Sequence, residues 1–227
     1  MADLAPTPEL LRSLGRLVRG LSCLFWGLPL ALLVSMPEVQ SAWLGRVGYL
    51  PPIIMTSLLC YGTWLMGSFQ QQERIWVAAH GRTLMLAIFN LGLSPFVYWW
   101  ERVPSNEYFA VAALLFSLGE LGFLYCLNLA LERLGAMLPD ETLRLETRQF
   151  TAINRWLILL LLLGAIMLFG LMQIPAMSPS LADALRAIHR HQQWFALPLV
   201  LFPVAVTMAL LWKTKEIIFE SVFNQQR

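Results

Sequence analysis

Residues 157–172 read LILLLLLGAIMLFGLM. No side chain in this run ionises or carries a strong hydrogen-bonding group, and the run is far longer than the usual strand of about 5–6 residues. Its length approaches the ~20 residues that carry a helix across a bilayer. A backbone in hydrocarbon must satisfy its own N–H and C=O groups, and a helix does so within the segment. With Trp156 in front, the run predicts a helical span over 156–172.

Five further runs of the same kind lie along the chain, at 20–36, 50–69, 83–100, 108–131 and 194–212. They are too long for barrel strands and lack the period-2 alternation such strands carry. The expected fold class is all-α: a polytopic integral membrane bundle of about six transmembrane helices plus an N-terminal amphipathic helix. No internal repeat, low-complexity tract or long linker divides the chain, so residues 1–227 read as a single membrane domain.

Composition points the same way. Of 227 residues, 58% are hydrophobic and only 13% charged, with mean hydropathy +0.62. Soluble domains carry about 25% charged residues and about 45–50% apolar ones. A globule of 25.8 kDa lacks the interior to hide this much apolar surface. The net charge is +2 and the basic residues are dispersed, which excludes the basic face that nucleic acid requires. Cys23, Cys60 and Cys126 each lie inside an apolar run with no zinc spacing, so they read as packed thiols.

Charge sets the expected orientation. With the N-terminus inside, only Arg46, Arg102, Arg186 and Arg190 of the 16 basic residues fall outside. Positive residues concentrate on the cytoplasmic side of membrane proteins, so both termini are expected there, in a membrane of bacterial inner (plasma) type. Tyr49, Trp99, Trp100, Tyr108 and Trp194 then mark one interface and Trp156 and Trp212 the other. The tripeptide VQS at 39–41 resembles a signal-peptidase site. The long structured-looking segment before the first run argues against cleavage.

That segment, PTPELLRSLGRLVRG at 6–20, has helix-start chemistry: Thr7 as a cap, Pro8 at the first helical position and Glu9 near the positive helix end. Leu10, Leu11, Leu14, Leu17 and Val18 share one face, and Arg12, Arg16 and Arg19 the other. The expectation is an amphipathic helix over 8–19 lying on the cytoplasmic leaflet before the chain turns into the first span. Residues 133–155 form the largest cytoplasmic loop. Gly135 is placed to end the fourth helix, and Pro139 and Asp140 to start another that runs into the fifth span. Asp140 and Arg144 are spaced to pair. The external loop 173–193 predicts a short surface helix from near Ser180.

Chemistry-bearing residues are few. Glu120 stands in FSLGELGFLYCLN, residues 116–128, roughly 17 Å from either end of its span. An ionised acid there costs several kcal/mol unless it is paired or protonated, so it should face the bundle interior. Gly119 and Gly122 flank it and would let a neighbouring helix come close. No basic residue lies at that depth. The neutral candidates for one intramembrane polar site are Asn90, Ser94, Tyr61, Thr63 and Asn128. For Glu120, Asn90 and Asn128, interhelical hydrogen bonding is the plainest use. A proton- or cation-coupled site at Glu120 is the sharper one.

Pro29, Pro95, Pro198 and Pro203 lie within spans, where each removes a backbone donor and can kink the helix. His80, His189 and His191 fall in loops, which leaves no intramembrane histidine pair for haem. GxSxG, HExxH, paired-aspartate and P-loop patterns are missing from the sequence. No metal site, cofactor or catalytic set is therefore expected, and an enzyme is disfavoured. The expected function is a structural or partner-binding membrane subunit, in contact with the lipid bilayer and with a protein partner at its cytoplasmic segments. The alternative is a small transporter or permease subunit that uses Glu120.

Overall fold

The structure, a computed structural model, describes residues 8–34, 47–103, 105–138, 141–172 and 200–220. Among these residues the chain is all-helical, with no strand. The helices are α1 Pro8–Val34, α2 Leu50–Met66, α3 Arg74–Arg102, α4 Glu107–Met137 and α5 Glu141–Met172, followed by α6 over 200–220. Consecutive helices from α1 to α5 pack on one another. Helix α6 closes the bundle, with Phe25 of α1 against Trp212 at 5.5 Å between ring centroids.

Helix α1 corrects one expectation. No turn separates a surface helix over 8–19 from a span beginning at 20; Pro8–Val34 is a single helix of 27 residues. The reason is that the apolar stripe does not break. Leu17, Leu21, Leu24 and Leu28 recur at helical spacing, and all are buried. Gly20, at the expected turn, is instead a contact point. A Cβ built there would lie 2.6 Å from the Gly62 carbonyl oxygen of α2, and one on Gly27 would lie 2.8 Å from Leu59 Cδ2. Small residues thus bring the two backbones together.

Among the described residues, three helical segments are long and apolar enough to cross a membrane: Leu11–Val34, Arg74–Arg102 and Glu107–Met137. Helix α2, expected over 50–69, stops at Met66 after 17 residues, about 25 Å. Its end is fully capped. Among its last four carbonyls, Trp64 accepts from the Gly67 N–H, Met66 from the Phe69 N–H and Leu65 from the Ser68 hydroxyl. The fourth, Thr63, lies 2.8 Å from His80 Nε2. Trp76 then ties down the connection by donating from Nε1 to the Phe69 carbonyl at 2.7 Å. His80 therefore belongs to α3, not to a loop as its sequence position suggested.

Pro95 does not break α3. A residue at 95 would normally donate its N–H to the Leu91 carbonyl. Proline cannot, and the Ser94 hydroxyl takes that carbonyl at 2.9 Å. Helix α4 starts at an Asn106 cap, whose Oδ1 accepts the Tyr108 N–H at 3.0 Å. It does not end at Gly135 but at Met137. Gly135 serves packing, since a Cβ there would sit 3.3 Å from Thr147 Cγ2 of α5. Helix α5 joins the polar second part of the expected loop to the apolar run in one continuous helix, as the sequence predicts.

The outer surface is apolar to a degree unusual for a soluble monomer. Trp156 is 74% exposed, Met85 66% and Trp26 64%, and Leu160, Leu163 and Met167 continue an open stripe down α5. Residues 1–7, 35–46, Pro104, Pro139, Asp140, 173–199 and 221–227 lie outside the described residues. The expected external helix, His189, His191 and Pro198 fall among them, as does the Asp140 end of the Asp140–Arg144 pair. Arg144 itself donates to the Ala136 carbonyl of α4 at 3.0 Å.

Candidate functional site

Helix α4 runs through the centre of the bundle and carries Glu120 on its inner side. The glycine before it explains the local packing. A Cβ on Gly119 would fall 2.1 Å from Asn90 Oδ1 of α3, so only glycine lets the Asn90 side chain lie across α4 at that level. Gly122 is looser, with Leu86 Cδ1 at 3.6 Å from its notional Cβ. The Glu120 carboxyl faces the Asn90 amide. Neither polar atom of Asn90, a fully buried residue, completes a hydrogen bond of regular geometry. The two groups line one small void with Thr56, Leu59, Ala87 and Phe123.

Glu120 also borders a cavity of about 320 Å3. Leu28, Ala31 and Leu32 of α1, Pro52 and Met55 of α2, Val97 and Trp100 of α3 and Val200 and Val204 of α6 form most of its wall. Polar groups on that wall are few. Thr56 and Ser117 turn their hydroxyls back onto their own helices, to the Pro52 and Ala113 carbonyls. Among the described residues lining it, Glu120 is the one that ionises, and none is basic. A cavity of this kind suits a mostly apolar occupant that offers one donor to the carboxyl.

The remaining sequence candidates do not join Glu120. Ser94 is buried in its bond to Leu91. Thr63 is buried too, its hydroxyl donating to the Leu59 carbonyl at 2.8 Å. Tyr61 is half exposed, 6.0 Å from Trp64 between ring centroids, and lines a different recess. Asn128 lies two turns along α4 from Glu120 and belongs to a second polar centre.

That centre was not evident from the sequence, because its key member, Asn154, sits in the segment read as a cytoplasmic helical loop. Asn154 of α5 donates from Nδ2 to Asn128 Oδ1 at 3.0 Å and reaches Thr207 Oγ1 at 3.0 Å and the Pro203 carbonyl at 3.2 Å. Asn128 donates from Nδ2 to Thr207 Oγ1 at 2.9 Å and to the Leu124 carbonyl at 2.8 Å. All three side chains are fully buried. Together they tie α4, α5 and α6 where Leu residues alone would slide. Ion pairs flank them: Arg155 to Glu132 at 3.2 Å, and Lys213 with Glu146. A signal did exist: Thr147, Thr151, Asn154 and Ile158 recur at helical spacing on one face of α5, and all are buried.

Among the described residues, no group of three or more histidine, cysteine, aspartate or glutamate side chains is placed to hold a metal ion. Neither family models, nor curated proteins, nor solved structures include a match to this chain.

Proposed function

We propose that the chain is a multi-pass membrane protein of six helices, with both termini on the cytoplasmic side of an inner-type membrane. We further propose that it works as a binding subunit through the Glu120 cavity. The observation that carries the reading is a single carboxyl on the wall of an apolar cavity, with no basic residue beside it among the described residues. A protein that needed only a buried hydrogen bond could place Glu120 against Asn90 in a filled interior. Here, space is left beside the carboxyl. The occupant is a mostly apolar molecule or partner side chain bearing one amine, hydroxyl or amide donor, and Glu120 fixes its orientation.

Native mass spectra of the protein, gently extracted from its own membrane, test this by comparing wild type with Glu120→Gln. The expected result is a bound species in the wild type that the variant loses while keeping its thermal transition. Identical spectra, with Glu120→Leu as stable as wild type, would falsify the reading. The membrane topology has a separate test. A reporter fused after Asn106 should read outside and one after Asp140 inside, and the reverse pattern would overturn the orientation.

A second reading, a small transporter, draws on the void behind Glu120. Glu120 borders both spaces, with Thr56 and Phe123, and Asn90 lines the smaller one. In that case Glu120→Gln would leave binding intact and abolish proton-coupled uptake in vesicles.

A further inference from the structure

A second recess lies at the opposite end of the α1–α2 pair, where the polar half of α1 meets the C-terminus of α2. Its volume is about 740 Å3, and Arg16, Arg19, Trp64, Ser68, Gln71 and His80 contribute to its wall. Both arginines are exposed, and among the described residues neither has an ion-pair partner. Among the described residues, no carboxylate lines the recess. Two cations in a walled space without a counter-ion are a site for an anion.

The C-terminus of α2 gives the arginines another use, because a helix end carries roughly half a negative charge. That charge is too small to absorb two guanidinium groups. All four terminal carbonyls are already engaged, by the Gly67 and Phe69 N–H groups, the Ser68 hydroxyl and His80. His80 spends Nε2 on Thr63, and its ring lies 5.8 Å from Trp76 between centroids. Gly67 holds the ring close: a Cβ there would sit 2.7 Å from His80 Cε1. The floor of the recess is thus fixed, and the arginines remain free to meet a ligand.

The rim identifies the source of the anion. Tyr61 and Trp64 stand on it, both more than half exposed, and on α2 they continue into exposed Ile54. Trp26 and Leu33 extend the apolar surface along α1. A ligand here would place an anionic group between two arginines and an apolar body along exposed aromatic and aliphatic side chains. We propose that this recess binds the phosphate head group of an anionic phospholipid, with the acyl chains lying along α1 and α2. The proposal rests on the membrane reading above, whose topology reporters fail or succeed independently of the binding test that follows.

Native mass spectrometry of the full chain in neutral detergent provides that test, with separate titrations of dioleoyl phosphatidylglycerol, dioleoyl phosphatidylcholine and inorganic phosphate. Wild type is expected to bind phosphatidylglycerol about thirtyfold more tightly than Arg16→Gln/Arg19→Gln. Phosphatidylcholine should bind both weakly and equally. Arg16→Lys/Arg19→Lys keeps the charges and should keep most of the preference, which also covers the case where the glutamine variant does not fold. Arg12→Gln/Arg74→Gln removes two exposed charges outside the recess and should bind as wild type does. Equal phosphatidylglycerol binding by wild type and Arg16→Gln/Arg19→Gln overturns the site. So does an equal loss in Arg12→Gln/Arg74→Gln, or a wild type that binds both lipids alike. Saturable, arginine-dependent binding of inorganic phosphate without lipid preference overturns the lipid as occupant.

Discussion

Replacing Gly20 by alanine adds one methyl group where α1 and α2 touch. The new Cβ would lie 2.6 Å from the Gly62 carbonyl oxygen, 3.0 Å from Met66 Cγ and 3.2 Å from Leu65 Cβ. An ordinary carbon–oxygen contact is about 3.3 Å or more, so the backbones must separate by roughly 0.7 Å. Met66 can turn away, but the carbonyl is backbone and moves only with its helix. A gap of that size forfeits roughly a quarter to a half of each dispersion contact along the seam. Overpacking of this kind costs about 1–3 kcal/mol. Alanine also favours the helix over glycine by about 1 kcal/mol, which offsets part of the loss.

Gly92→Ala isolates the two terms. Gly92 lies in α3 with nothing within 4 Å of its notional Cβ, so it should show the helix gain alone. The difference between the two variants is then the packing term, about 1–3 kcal/mol, or roughly 2–12 °C in Tm for a chain of this size. Thermal unfolding in one detergent, followed by the fluorescence of the nine tryptophans, measures it. Gly20→Ala melting together with Gly92→Ala would refute the backbone contact and, with it, the continuous path of α1 past residue 20.

Two further predictions concern the polar groups that hold helices in place. Asn154→Ala should lower stability by about 1–2 kcal/mol, and in a double-mutant cycle with Asn128→Ala the two losses should not add; strict additivity in detergent unfolding would dissolve the Asn128–Asn154–Thr207 centre. Ser94→Ala should destabilise by about 1 kcal/mol, because the Leu91 carbonyl loses its hydroxyl donor. In a Pro95→Ala background, which restores the N–H, the same change should be nearly neutral, and an equal loss in both backgrounds would show that Ser94 does not stand in for the missing donor.

What the sequence revealed and concealed follows from what hydropathy measures. A change from polar to apolar side chains marks a change of surroundings, and the helix need not notice it. At Gly20, at Trp156 and at Trp212 the composition shifts while the backbone continues, because none of these places carries a proline, a cap or a left-handed turn. Helices stop instead where their carbonyls and amides find other partners. Asn106 does this at the start of α4 and Ser68 after α2, and the short Asn or Ser signal is easily outweighed by a long apolar run.

The same bias explains the site. Glu120 was legible because a charge in an apolar run stands out, and the glycine before it pointed to a close neighbour, which proves to be Asn90. Asn154 was hidden because it follows a charged stretch, where one more polar residue is unremarkable. Its meaning lies in phase. Read at helical spacing, Thr147, Thr151 and Asn154 turn inward, while Glu146 and Arg155 reach to the neighbouring helices for their ion pairs. Arg16 and Arg19 hide in the same way, since on α1 alone they are only the charged face of an amphipathic helix. They become a site once the end of α2 walls them in, and that wall is long-range information no local pattern holds. The two recesses therefore sit at opposite ends of one α1–α2 seam, held at its middle by Gly20, Gly27 and Gly62. Widening that seam at Gly20 should disturb the arginine recess first, because Arg19, its neighbour in the chain, and Leu65, its neighbour across the seam, both line it, while the Glu120 cavity lies beyond Gly27.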